Sequence, residues 1–404
     1  MSVPAGSKSG FISPLIATNL RLYEFIKDLR KNFIKYELYR LKVLGIYIND
    51  FCNLNCKHCY YQIPNRINFN PISLDRVKLA LDKAIDSGVS LFAFVGKEVF
   101  IPGELIGERT MELMKFLVER RNRNKEIVIG AVTNGVLIDK FFDRLRDIKL
   151  DYIDFSIDGS NARVHDELRG YGTFSKVIRN LEYGLHKGIA DKIFISSTLY
   201  SSNIDDLINI FNFSSRYGIR YFNITPVVAI KGTELGISVA DLIKFINRIP
   251  EKFDKLKVNS PVLVVLDLDS YIVKSLSRAM WELMDMQVFI DRVNNLLLFK
   301  NLVGSTTLCI RISLPDPCAG YGCISADGLF FNKGGCLFMK PGYENLALGN
   351  LLKDDMSSII SRAEKLSKGI FAEPYSTNLD VFSLTSGELL NLIEGGGYEF
   401  PKIN

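Results

Sequence analysis

Three cysteines stand within eight residues, Cys52-Asn-Leu-Asn-Cys56-Lys-His-Cys59, and their type and spacing could do chemistry that ordinary side chains cannot. Thiolates are soft ligands that suit zinc or iron–sulfur clusters. Three so close together can wrap one metal centre, and the missing fourth ligand is informative. A structural zinc site closes its tetrahedron with protein ligands, whereas an iron without a fourth protein ligand can bind a substrate or cofactor directly. His58 could complete a zinc site, but its place next to Cys59 makes reaching the same ion awkward. The cysteine pattern therefore favours a cluster over zinc or chance grouping. The remaining four of the seven cysteines, Cys309, Cys318, Cys323 and Cys336, form a second group separated by 8, 4 and 12 residues. With no signal-peptide layout at the N-terminus, both groups suggest metal ligands rather than disulfides.

Such ligands need a scaffold, and the sequence lays one out. From residue 43 onward, short apolar runs alternate with helical stretches: Val43–Ile48, Leu91–Val95, Ile127–Val132, Tyr152–Ile157, Ile193–Leu199 and Tyr221–Thr225. They start about 25–50 residues apart, which leaves room for a helix between each pair. That alternation predicts an α/β fold with a parallel sheet buried on both faces, either open and doubly wound or a partial barrel. The first cysteine group follows directly after the first strand. A basic amphipathic helix is expected over 15–42, with Leu22, Phe25, Ile26, Leu29 and Phe33 on one side and Lys27, Arg30, Lys31 and Lys35 between them. Further helices are expected at Val239–Arg248, Lys274–Met284, Val288–Phe299, Asp355–Leu366 and Ser386–Ile393, with a strand at Val262–Leu268. The stretch Gly304 to Gly342 holds seven glycines and three prolines and reads as loop-dominated; Gly395, Gly396 and Gly397 mark a terminal loop.

Bulk properties narrow the function classes. The 404 residues carry 50 basic and 45 acidic side chains, a net charge of +5, which is a mixed surface and no signature of nucleic-acid binding. No run of 18 apolar residues suggests a transmembrane helix, so a cytoplasmic location is expected.

The CxxxCxxC spacing, with His58 before the third cysteine and the first strand just ahead, resembles the signature of the radical S-adenosylmethionine (SAM) superfamily. The resemblance runs over about residues 43–350 and implies a partial (β/α)6 barrel at 43–240. It also implies a [4Fe–4S] cluster on Cys52, Cys56 and Cys59 whose fourth iron binds SAM. One electron, from an external flavodoxin- or ferredoxin-type donor, then cleaves SAM to a 5′-deoxyadenosyl radical that abstracts a substrate hydrogen. Gly96-Lys97-Glu98 stands where the family usually has Gly-Gly-Glu, a segment that pairs with the SAM amino group; Lys97 is a departure. Thr133-Asn134-Gly135 matches the family's Thr-Asn-Gly. Ser156-Ile157-Asp158-Gly159, followed by His165 and Arg169-Gly170, is similar to the peptide-maturase branch. By that match Ser156 and Asp158 face the ribose, Arg169 answers the SAM carboxylate with its planar guanidinium, and Leu199 lies against the adenine.

The second cysteine group, with Glu344 to Asn350 beyond it, resembles the opening half of a SPASM or Twitch auxiliary-cluster domain over 304–404, with 241–303 shaping the substrate site. A full SPASM domain needs about seven cysteines and only four are here, so one auxiliary [4Fe–4S] cluster on Cys309, Cys318, Cys323 and Cys336 is implied; a structural zinc and buried apolar cysteines are the alternatives. An electron-accepting cluster points to net two-electron oxidation, and the resemblance to the peptide-maturase branch implies a ribosomally made peptide as the substrate. Oxidation of a small molecule, such as an amino sugar or alcohol, is the second expectation, and a non-catalytic iron–sulfur scaffold protein the third.

Overall fold

The computed structural model describes residues 34–47, 49–59, 61, 71–123, 126–227, 236–256, 258, 260–267, 287–291, 296–303, 306–313, 320–332 and 343–372. The expected parallel strands form: β1 Val43–Ile46, β2 Leu91–Phe94, β3 Val128–Thr133, β4 Leu150–Ser156, β5 Ala190–Leu199, β6 Tyr221–Pro226 and β7 Val262–Asp267 lie side by side in chain order. Between them run helices α1 Leu74–Asp86, α2 Arg109–Arg121, α3 Phe142–Ile148, α4 Ala162–Arg169, α5 Thr173–Lys187, α6 Asn212–Tyr217 and α7 Val239–Asp254. In α1 the buried residues Val77, Ala80, Leu81 and Ala84 recur at helical spacing, and Gly88 (φ +91°) follows its end. The α4 start is capped by Asn161, whose side chain accepts from Val164 N–H at 3.2 Å.

The sheet is mostly parallel and not closed into a barrel, which is the partial-barrel architecture. One expectation changes. Along β5, Ile193, Ile195, Ser197 and Leu199 are buried, whereas Phe194, Ser196 and Thr198 are half-buried; β6 alternates in the same way. The sheet is therefore sealed on its helix-covered face and only partly on its inner face, the arrangement of a curved sheet with a cleft rather than a doubly covered one.

The C-terminal part extends the same sheet at both ends. Beyond β7 come β10 Thr306–Ser313, β9 Leu296–Val303 and β8 Gln287–Asp291; beyond β1 come β11 Tyr321–Ile324, β12 Leu329–Phe331 and β13 Gly349–Asn350. The helix expected at Val288–Phe299 is thus two antiparallel strands, with Asp291 opposite Leu296. Its two apolar runs flank Asn294-Asn295, a turn signal that outweighs the short helical pattern. The stretch Gly304 to Gly342 likewise contains three strands among its described residues, with Gly320 (φ +64°) just before β11 and Gly328 (φ +86°) joining β11 to β12. The helix expected to reach residue 42 stops earlier: 36–40 are turns, with Glu37 left-handed (φ 52°). Helix α8, Met356–Ala372, matches the expected 355–366 helix and packs on α1. Two polar ties add to this contact: Glu364 accepts from Leu41 N–H at 2.9 Å, and Arg76 donates to Leu351 C=O at 2.9 Å. The patterns at 274–284, 386–393 and 395–397, and the part of the expected helix before residue 34, lie outside the described residues. No helix among those described is long and apolar enough to cross a membrane.

Candidate functional site

The cysteine loop leaves β1 through Asn49, a fully buried residue that accepts from Phe51 N–H and donates to the Glu98 carbonyl at 2.9 Å. Cys52 and Cys56 are half-buried and Cys59 is exposed at the rim. The Cys52 sulfur accepts from Leu54 N–H at 3.4 Å and from Asn134 Nδ2 at 3.7 Å, and Asn134 also holds Asn53 Oδ1 at 2.9 Å. Burial pushes the Cys52 thiol up to about 12, with Glu98 adding to it; burial pushes Cys56 up to about 11 against the pull of Arg169. Metal binding here must displace protons.

Glu98 has its carboxylate taken up by hydrogen bonds from its own strand end and from the turn after β3. It is 1% exposed; Oε1 accepts from Thr133 hydroxyl (2.8 Å) and Phe100 N–H (2.9 Å), and Oε2 from Asn134 N–H (2.7 Å). Burial still raises its carboxyl above the usual range. Its work is to tie the end of β2 to the Thr-Asn-Gly turn, which in turn braces Cys52. Gly96 (φ +117°) lies so close to Tyr47 that a Cβ would come within 2.7 Å of its ring. The Lys97 ammonium sits 5.1 Å from the Tyr61 ring, and Tyr61 hydroxyl donates to buried Asp50 at 3.0 Å.

A second brace comes from β4. Asp158 is fully buried; it accepts from Arg169 Nε and, at 2.8 Å, from Thr198 N–H, and His58 Nε2 lies 3.5 Å away. Burial works to raise the Asp158 carboxyl, but Arg169 and the hydrogen bonds outweigh it and hold it low. Burial takes His58 down to about 4, so at neutral pH it meets Asp158 as a neutral ring. The main chain closes the contact, with Lys57 N–H donating to Leu168 C=O at 2.9 Å.

His165 supports this brace from beneath: its Nδ1 accepts from Asp158 N–H at 3.2 Å, which requires a neutral ring. Burial lowers His165 to about 4 from 6.5. A depressed histidine contributes stability that is present above its unfolded pKa and lost as pH falls through the folded one. Between pH 6.5 and 4 the protein is therefore expected to lose about 2–3 kcal/mol through this residue. Urea unfolding across that range should show a shallower loss in His165→Asn.

Of the sequence-based candidates, Cys52, Cys56, Cys59, His58, Gly96, Glu98, Thr133, Asn134, Asp158 and Arg169 join one network around the loop. Ser156 is half-buried on the inner face, in register with Ser196. Leu199 is different: its side chain is fully buried in the main apolar core. Cys309 lies in β10 and Cys323 in β11, strands at opposite ends of the β1–β7 array; Cys318 and Cys336 are outside the described residues. Cys323 is fully buried with Tyr47, Tyr61 and Phe331. Sequence reasoning missed Asn49 and Asn203. Asn203 is buried and bridges the Asp158 and Thr198 carbonyls at 3.1 and 2.8 Å. Polar residues just past an apolar strand end were the available signal.

Comparison with known proteins agrees with this geometry. Residues 46–214 match the radical SAM superfamily model. The chain carries a radical SAM domain, and the members of that superfamily are enzymes. The domain implies a [4Fe–4S] cluster and SAM, and the donor set fits: three thiols in one loop, sulfur-directed N–H groups on Cys52, and a guanidinium beside Cys56. Among relatives, the chain is 30% identical over 165 residues (40% of this chain, 38% of the relative) to Fe-coproporphyrin III synthase of Methanosarcina barkeri. It is 24% identical over 179 residues (44% and 57%) to a probable GTP 3′,8-cyclase of Methanococcus aeolicus. The chain thus spans about half the length of the curated relatives it matches. The fold is similar to that of SAM-bound SuiB of Streptococcus suis, with TM-score 0.60 and 16% identity over 87% of this chain and 73% of that one. SuiB bound to the precursor peptide SuiA gives TM-score 0.60 and 14% identity, with 94% and 76% covered.

Proposed function

We propose that this chain is a radical SAM oxidoreductase that modifies a ribosomally made peptide by net two-electron oxidation. The observation that carries the reading is the convergence of the ends of β1, β2, β3, β4 and β5, by one hydrogen-bonded network, on the Cys52–Cys59 loop. The cluster and SAM, when bound, supply hydrogen-atom abstraction from an unactivated C–H bond. The residues of this chain hold and orient. Cys52, Cys56 and Cys59 ligate the cluster; Asn134 and Leu54 N–H fix the Cys52 sulfur; Asp158 presents Arg169, whose guanidinium answers the SAM carboxylate. The Gly96 turn offers main-chain groups to the SAM amino group, with Glu98 acting through the Thr-Asn-Gly turn. Ser156 faces the ribose, and any contact of Leu199 with the adenine runs through its main chain. An external donor of flavodoxin or ferredoxin type delivers the electron. An auxiliary [4Fe–4S] cluster on the second cysteine group, which comprises Cys309, Cys318, Cys323 and Cys336, would supply an acceptor for the electron left on the substrate; Cys309 on β10 and Cys323 on β11, separated by β1–β7 in the sheet, would not both ligate it.

Similarity in fold to SuiB, which has been solved with a precursor peptide, supports a peptide substrate. A second reading is dehydrogenation of a small molecule; the names of the two curated relatives, a synthase of Fe-coproporphyrin III and a GTP cyclase, support the small-molecule part of it. The test is anaerobic reconstitution with SAM, a reductant and a short peptide encoded beside this chain's gene. SAM-dependent loss of two hydrogens from the peptide is expected. An unchanged peptide, with oxidation of a component in the small-molecule fraction of the cell extract, would replace the peptide reading with the second one.

A further inference from the structure

The side-chain amide of Asn134 does more than close the turn after β3. Its Oδ1 accepts from Val136 N–H at 3.0 Å, and because a backbone N–H only donates, that contact fixes which end of the amide is oxygen. The Nδ2 end is thereby aimed at the cysteine loop. There it donates to Asn53 Oδ1 at 2.9 Å and to the Cys52 sulfur at 3.7 Å. Aspartate would supply the same acceptor to Val136 in the same shape; asparagine adds the donors. Asn134 is 7% exposed, so water competes little for them.

The turn is held from both sides. Glu98 takes the Asn134 N–H at 2.7 Å, and Thr133 Oγ1 accepts from Gly135 N–H at 3.0 Å. From the outside, Asn180 of α5, 2% exposed, donates through Nδ2 to the Gly135 carbonyl at 2.8 Å and to the Val136 carbonyl at 3.2 Å. Gly135 has φ +74°, and a Cβ there would come within 2.9 Å of the Phe155 ring and 3.1 Å of Val177, so β4 and α5 close on the turn without slack. The main chain of Asn134 is therefore fixed before its side chain reaches the sulfur. At 3.7 Å that sulfur contact has little room to lengthen, which makes it sensitive to any movement of the turn.

From this arrangement, and resting on the cluster reading above, we propose that the Asn134 amide sets the reduction potential of the cluster held by Cys52, with Asn180 as the positioning residue that keeps it aimed. One-electron reduction adds negative charge that the thiolate sulfurs share, and an N–H directed at a sulfur favours the more negative state. The Asn134 donor therefore raises the potential and eases delivery of the electron. Asn180 acts through the Gly135 and Val136 carbonyls; without it the turn can carry Nδ2 off the sulfur.

The test is a redox titration, followed by EPR, of the full chain reconstituted anaerobically and kept free of SAM. Asn134→Leu removes the donor without adding charge, and Asn134→Asp removes it while keeping the acceptor for Val136 N–H. Each is expected to lower the potential by the equivalent of a tenfold fall in reduced cluster at fixed poise, about 59 mV for one electron. Asn180→Ala should move it in the same direction by less. Leu181→Ala, a fully buried neighbour on α5, loosens the helix without touching the turn and should leave the potential where it is. An unchanged or raised potential in either Asn134 variant overturns the inference, and an equal shift in Leu181→Ala and Asn180→Ala overturns the positioning role. A reading that needs no variant comes from pulsed EPR of the unaltered protein, labelled with the heavy nitrogen isotope in its asparagine side chains. A nitrogen coupling to the reduced cluster is expected, and its absence also overturns the inference. A preparation with no reduced-cluster signal at all sinks the cluster reading itself, whereas an intact signal with unmoved potentials sinks only the role of Asn134.

Discussion

Changing Cys52, Cys56 and Cys59 together to alanine is expected to abolish reductive SAM cleavage and to lower the iron content by about four atoms per chain, one cluster's worth. The sheet should survive this change. Of residues 52–59, only Leu54 packs against the main apolar core, so little buried area is lost and circular dichroism should be retained. The reason for so complete a loss is the donor set. Both half-buried thiols are held well above the ordinary cysteine range, Cys52 at about 12 and Cys56 at about 11, and give up their protons only to a metal centre that repays their burial. No other cysteine stands in the loop to substitute for them. Anaerobic iron and sulfide analysis, with 5′-deoxyadenosine measured by chromatography, checks the result; unchanged iron or persistent SAM cleavage in the triple variant would refute the assignment of these thiols.

Asp158→Ala is expected to cost about 3–5 kcal/mol of stability, because it strands the Arg169 guanidinium, 10% exposed, without its counter-charge. The same change leaves Thr198 N–H without its acceptor and removes the carboxylate beside His58. Restoring neutrality should recover much of the loss. In Asp158→Ala/Arg169→Leu neither charge of the pair is left buried, and the double variant should be more stable than Asp158→Ala alone, giving a large coupling energy. Urea unfolding of the two single variants and the double variant measures this. A loss below about 1 kcal/mol for Asp158→Ala, the scale of a surface pair, would mean that the brace does not hold the loop.

The legible parts of this protein were those written in short-range spacing. Apolar runs at regular intervals announced β1 to β7 within a few residues, because a strand's own side chains decide whether it can lie in a buried sheet. Val288–Phe299 failed because two short apolar runs fit either period, and only the pairing of β8 with β9 and of β9 with β10 makes them strands. Glu98 was recognised as a site residue, but its partners were not: Thr133 and Asn134 are 35 and 36 positions away, and no local pattern selects them.

What the sequence determined by itself was the candidate ligand set, three thiols in eight residues after a strand, and the scaffold that carries it, since both depend on neighbours along the chain. Tertiary structure decided the rest. The contact of His58 with the buried Asp158, the core position of Leu199, the addition of β11 beside β1 and the Ser196–Asp154 hydrogen bond all follow from strand order and register. Those bring together residues as far apart as Asn134 and Cys52, 82 positions from one another. Packing and hydrogen-bond satisfaction choose such partners in space, where intervals along the chain carry no information about them.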